Sequence, residues 1–266
     1  TINGREDAGI VAEGDSLLEN VEWYGPAPVA VFLQDNAKAS NVITRDYEFH
    51  GFYMVDSSEA TYSHALGFGS NGFTLHDDSF VSYSQSSANT IDGFDFFDNA
   101  GGDNLLAYDN WHGFHANSET DNEGLIRLTN TWAIDNNRPN NDANGETGYV
   151  GRFDLENAHA LGQRIGLEPI PNSLPVVSHY DDVISGDSIE ESIPLVLEDD
   201  AQVHNCIVEN SFVAFHMHDS SEAYSCLARD NHNGYHSVGD DVEVFDSLAE
   251  QNEIGYSVGI NSYIAL

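Results

Sequence analysis

What most constrains this chain is a repeat too short to be a domain. A small residue followed by an aromatic recurs as Gly51-Phe52, Gly72-Phe73, Gly93-Phe94 and Gly113-Phe114, spaced by 21, 21 and 20 residues. The surrounding strings repeat too: FHGFYMVDSSE, SNGFTLHDDSF, IDGFDFFDNAG, WHGFHANSETD. A unit of this length buries its apolar side only against its neighbours, so it is one turn of a solenoid. The register extends back to Ala30-Val31 and Gly9-Ile10 and forward to Ala214-Phe215, Gly234-Tyr235 and Gly255-Tyr256, which predicts at least nine turns. Within a turn Phe52 and Met54 alternate with Tyr53 and Val55, the period of a strand. The turns are rich in Asn, Asp, Ser and Gly, the residues that tight corners accept, and no 3.6-residue apolar period competes. The expected fold is all-β: a single-stranded parallel β-helix of about 20–21 residues per turn, right-handed by the general chirality of parallel crossovers.

Stacked strands turn spacing into geometry, because residues one repeat apart lie on neighbouring rungs about 4.8 Å apart. Phe52, Phe73, Phe94 and Phe114 are expected to stack inside, continued by Phe215, Tyr235 and Tyr256. Five places after each small residue come Asp35, Asp56, Asp77 and Asp98, a column of carboxylates at successive corners. Such a column either caps the turns or forms a cation ladder. Cys206 and Cys226 are 20 residues apart with Ser247 next in line, compatible with a disulfide between turns or with stacked thiols.

The repeat spans nearly all of residues 1–266, so the chain is read as one domain, interrupted by a long loop at about 155–190 where prolines gather. A shorter polar loop, RPNNDANGE, precedes Gly148-Tyr149, and regular turns return near Ile193. No polar cap covers the first or last turn, which points to a fragment of a longer chain or to ends covered by another subunit. The 45 acidic residues face 8 basic ones, a formal charge of −37. Self-repulsion on that scale needs abundant counter-ions, which predicts a halophilic protein. Hydrophobic residues make up 40% of the chain and its aromatics hold a fixed register, excluding an acidic disordered chain. With no basic stripe, nucleic acid is excluded as a partner, and no apolar run is long enough for membrane insertion. A secreted protein is expected, extracellular or at the cell surface, its leader removed from this sequence.

Three strings, NTIDGFDFF, LLAYDNWHGF and LTNTWAIDNNRP followed by ETGYVGRF, resemble the family 9 polysaccharide lyases, which share the right-handed β-helix. The resemblance covers about a third of the chain. It implies cleavage of an acidic polysaccharide, with aspartates holding calcium against the uronate carboxylate and a lysine abstracting the C5 proton. Asp92 matches the aspartate of the family's Asp-Gly-Phe turn, but its next acidic cluster falls on Trp111, His112 and His115, and its lysine falls on Val150.

Read from the residues, Asp92 lies one turn below His112 and Asp95 one turn below His115, so two carboxylates and two imidazoles share a face. That set suits a transition metal better than calcium, whose sites are built from oxygens, or serves as an acid and base pair. Tyr108 and Trp111 would stack on a sugar ring, and Arg127 or Arg152 would neutralise a uronate. A second column, His216 and His236 with His218 alongside, lies away from the lyase-like segment. The expected function is recognition, with or without cleavage, of an acidic polysaccharide. The alternative is a non-catalytic surface protein, a filament subunit, cell-surface layer domain, adhesin or viral spike, whose copies stack end to end.

Overall fold

The computed structural model describes residues 7–117, 126–136, 147–151, 153–162, 165–168, 179–181, 184–186, 195–197, 201–238, 240–257 and 262–265. Among them every regular element is a strand, and all strand pairings are parallel. The chain is a parallel β-helix. No helix of the described residues is long and apolar enough to cross a membrane.

One face of the coil is a twelve-stranded ladder that begins Ala8–Ala12, Val29–Leu33, His50–Met54, Asn71–Leu75, Asp92–Phe96, His112–Ala116, Thr147–Val150 and ends at Ile254–Ser257. Through it runs one register column: Ile10, Val31, Phe52, Phe73, Phe94, Phe114, Tyr149, Leu167, Leu195, Phe215, Tyr235, Tyr256. The rings of Phe52 and Phe73 are 4.5 Å apart, those of Phe73 and Phe94 4.9 Å, and those of Phe94 and Phe114 5.2 Å, all nearly parallel. Identical side chains on adjacent rungs can only stack face to face, so the core is a rod of rings. The small residue before each ring is needed where faces converge. A Cβ on Gly93 would lie 2.7 Å from the carbonyl oxygen of Gly113 and 2.8 Å from Nδ2 of Asn110.

The remaining strands form a second ladder, split by a sharp corner into a second and a third face. Most corners between faces, among the described residues, are left-handed backbone. Asp35, Asp56, Asp77 and Asp98 occupy the first at φ 58–63°, Asn20, Asn41, Tyr62, Tyr83, Asn104, Asn130 and Asn157 the second at φ 48–56°, and Asp46, Ala88, Asp109 and Asp135 the third at φ 48–64°. Asp and Asn tolerate this conformation better than most side chains. At the first corner the capping alternative is the one realised. The Asp98 carboxylate accepts the amide of Asp77 at 3.0 Å, Asp77 that of Asp56 at 3.1 Å, Asp56 that of Asp35 at 3.2 Å, and Asp35 that of Gly14 at 3.1 Å. Inside the third corner runs an asparagine ladder. Asn89 donates its amide and side-chain nitrogens to Oδ1 of Asn110, which does the same to Asn136, and all three are fully buried.

Two expectations are corrected or settled. Within the stretch at about 155–190, read as a loop, the described strands lie in the ladders. Phe153–Leu161 pairs with Ile126–Ile134, Ile165–Glu168 with Thr147–Val150, and both His179–Asp181 and Ile184–Gly186 with Phe153–Leu161. The alternation in FDLENAHAL buries Phe153, Leu155, Ala158 and Ala160, which outweighs the prolines that follow; residues 169–178, where three of them fall, lie outside the described residues, as do the 137–146 loop and Ile193. Cys206 and Cys226 are not bonded to each other. The amide of Cys206 donates to Sγ of Cys226 and the amide of Cys226 to Oγ of Ser247, so the sulfurs are rungs of a polar ladder.

The ring column makes a direct expectation. Phe94→Ala removes a fully buried ring stacked on both sides and lowers stability by about 3–5 kcal/mol, read as a shift of the guanidinium midpoint. A shift below about 1 kcal/mol would mean the column is not the core.

A candidate carboxylate and imidazole site on the first face

The strand Asp92–Phe96 pairs with His112–Ala116 so that Asp92 aligns with His112 and Asp95 with His115, as the spacing of 20 requires. The Phe94 and Phe114 rings fill the inside, so Asp95 and His115, next along each strand, face outward, and Asp92 reaches the same side, in contact with His115. The closest contacts run diagonally. Nδ1 of His115 lies 3.3 Å from Oδ2 of Asp92 and 3.6 Å from Oδ1 of Asp95, and one ligand atom from each of the three residues falls within 4.8 Å of the others. His112 stands beside them, its ring 6.1 Å from that of His115.

Although they belong to an outer surface, Asp92 is 2% and Asp95 5% exposed. Burial, then the charge of Asp92, holds the Asp95 carboxyl well above the usual carboxylate range, with His115, Asn117 and Asn71 partly offsetting the rise. Burial pushes His112 down despite Asp92, whereas His115 rises because the hydrogen bond and charge of Asp92 and the charge of Asp95 together outweigh its burial. Asn71, one rung before Asp92, donates Nδ2 to Oδ2 of Asp95 at 2.9 Å. Even so, Oδ1 of Asp92, Oδ1 of Asp95 and Nδ1 of His112 are buried without a hydrogen-bond partner. Buried polar atoms are ordinarily paired, and three orphans in one cluster mark a place built for something else. The geometry fits a small divalent cation. Bonds of about 2.0–2.1 Å place tetrahedral ligand atoms roughly 3.3 Å apart, close to the contacts of His115 with Asp92 and Asp95, while the set as a whole lies within 4.8 Å.

The other expected residues do not assemble around this cluster. Trp111 does, its ring stacked on His112 at 4.6 Å. Tyr108 lies on the third face, where it aligns with Ile134, and Arg127 on the second, 3.8 Å from Asp154 and 3.9 Å from Glu156. Both were grouped with the cluster because they are close in sequence, but within one turn residues a few places apart look out from different faces. Arg152 lies outside the described residues. Val150 occupies the rung after His115, so an apolar side chain stands where the lyase lysine would fall. The grouping also missed three residues on the same face. Asn71 occupies the column of Asp92, and His50, preceding it, contacts Thr74 at 2.8 Å. The 21-residue interval His50, Asn71, Asp92 was the available signal.

The second imidazole column is real. His216 stacks on His236 at 5.1 Å and tilts against His218 at 4.5 Å. It shares the register column of Asp95 and His115, several rungs on.

No protein-family profile and no curated protein sequence matches this chain. Among solved structures it is similar to the A-module of the mannuronan C-5 epimerase AlgE4 of Azotobacter vinelandii, with 14% identity and a TM-score of 0.40 over 90% of this chain and 78% of that one. It is similar to the catalytic domain of a GH87 α-1,3-glucanase, at 11% identity and 0.37 over 98% and 64%. It is also similar to the tailspike protein gp49 of Acinetobacter baumannii bacteriophage Fri1, a capsular polysaccharide depolymerase, at 10% and 0.34 over 91% and 48%.

A pH dependence follows from the His216 column. Burial, then His218 and His236, push the His216 imidazole down to about 4 from an ordinary 6.5. The unfolded chain therefore binds more protons between those values, and the stability due to neutral His216 is full above about pH 6.5 and lost as pH falls toward 4. The drop in Tm from about pH 7 to about pH 4.5 is expected to be smaller in His216→Gln than in the parent; equal drops would assign the acid sensitivity elsewhere.

Proposed function

We propose that this protein recognises an acidic polysaccharide on its first face through a divalent transition ion held by Asp92, Asp95 and His115, with His112 and Trp111 alongside. The observation that carries the reading is the pair of buried carboxylates, each with an unpartnered oxygen, beside an imidazole. Two such groups side by side are unfavourable without a proton or a cation between them. A chain at −37 repels a polyanion, so a bridging cation is what would let a uronate carboxylate approach. His115 among the ligands favours zinc or a similar ion over calcium. We assign the same charge to a salt-rich setting outside the cell or at its surface, where counter-ions screen the carboxylates.

Zinc or manganese is expected to raise Tm and to give a one-to-one isotherm, while calcium has a weaker effect. Asp92→Asn with Asp95→Asn abolishes the metal response and, by removing buried charge, raises the metal-free Tm. The same metal effect in parent and variant would sink the site. With polygalacturonate or alginate, binding is lost on chelation. The ultraviolet absorbance of unsaturated uronate separates the functions: product that vanishes in the variant marks a lyase, and binding without product marks a binding or adhesive module. A second expectation concerns charge: Tm rises from low salt to molar KCl, and a flat or falling Tm would end the halophilic reading.

A further inference from the structure

The second corner carries a feature that neither the fold nor the first face requires. Among the described residues ten turns place a residue there at φ 46–56°, six of them asparagine, one serine and one aspartate. The other two, on adjacent rungs, are Tyr62 at φ 50° and Tyr83 at φ 48°. A bulky side chain is disfavoured in left-handed backbone where asparagine is tolerated, and such strain persists at sites that use it. The tyrosines contribute little burial in return, being 56% and 51% exposed. Their rings are stacked, 5.1 Å apart with an interplanar angle of 20°, presenting an aromatic strip to solvent.

Beside the strip the second face supplies polar groups. Phe80, three residues before Tyr83, is 42% exposed, and in its column follow Gly101 and then Arg127 on the next two rungs. Gly101 has no side chain to fill the gap, and a hollow of about 540 Å³ opens between Phe80 and Arg127, lined also by Asp78, Asn99 and Asp103. Asp103 is anchored by Thr129 at 2.6 Å, Asn104 at 2.7 Å and Asn130 at 2.9 Å. It is a fixed, ionised acceptor, because these hydrogen bonds outweigh its slight burial and lower its pKa. Arg127 offers donors on a largely exposed side chain.

We propose that Tyr62, Tyr83, Phe80 and the hollow next to them form a second carbohydrate-binding site, for neutral rather than acidic sugar. Flat aromatic faces receive the C–H faces of pyranose rings, and planar carboxylate, amide and guanidinium groups pair with hydroxyls. Asp78 and Asp103, which line the hollow, repel a uronate, as they would a nucleic acid. In the triangular cross-section this corner lies opposite the first face, and the proposal stands independently of the metal reading there.

The test replaces the two strained residues by the one the corner uses most, asparagine. Tyr62→Asn with Tyr83→Asn is expected to leave Tm unchanged or higher, and to weaken binding to soluble neutral dextran, mannan or xylan in affinity electrophoresis by about tenfold or more. Binding by the parent should persist with a chelator present and in Asp92→Asn, which separates this site from the first. Retardation by none of the three polymers overturns the proposal, as does equal retardation of parent and variant. A lower Tm in the variant would show the tyrosines to be structural. Sedimentation in which the parent dimerises and the variant does not would give the strip to a second copy of the chain.

Discussion

The whole molecule depends on backbone hydrogen bonding between successive turns at one-to-one register. Because each rung repeats the last, any side chain finds its own equivalent above and below, and the structure contains what such repetition stabilises: rings on rings, amides on amides, carboxylates on the amides beneath them. The corners are where this could fail, since left-handed backbone leaves donors pointing along the axis. The Asp35 to Asp98 column closes that gap at the first corner, and the Asn89, Asn110 and Asn136 ladder closes it inside the third. A column of acids that looks like a repulsion problem is also a set of capping acceptors.

How much could be read in advance follows from the same regularity. Where spacing stays at 20 or 21 the register is legible to the residue, and Phe52 through Phe114 and Phe215 through Tyr256 stack as expected. Between Phe114 and Tyr149 the interval is 35 residues, then 18 to Leu167 and 28 to Leu195, because turns there differ in length. A fixed period cannot follow them, and proline content then misread strands as a loop. The asparagine ladder was invisible for another reason: composition marks asparagine as a turn residue without telling which way its side chain points. The acid and imidazole cluster was legible because it rests on one register pair. The wider grouping of Tyr108 and Arg127 with it was not, since that required knowing where the corners fall.

The two surfaces singled out differ in how the fold accommodates them. On the first face the anomaly is electrostatic: Asp92 and Asp95 are nearly dry side by side, where the preceding rung carries the uncharged Asn71 and Thr74. At the second corner the anomaly is conformational, with tyrosine where small polar residues, mostly asparagine, stand on the other rungs. Neither is explained by the stacking that organises everything else.

That contrast bears on function more directly than the fold does, since a β-helix says little about what it acts on. A solenoid stabilises each rung mainly through its neighbours, so an unfavourable rung is carried by the favourable ones on either side. Asp95 lies directly over the Phe73, Phe94 and Phe114 stack, where ring packing is tight and regular. Buried like charge is costly there, whereas one rung before Asp92 the neutral Asn71 stands in its column and accepts the Asp92 amide. Local rules broken without structural gain are where selection for binding or chemistry shows. On that criterion the carboxylate pair and the tyrosine pair are where the two proposals rest: Asp92 follows the amide Asn71 in its column, and Tyr62 and Tyr83 stand at a corner where asparagine predominates.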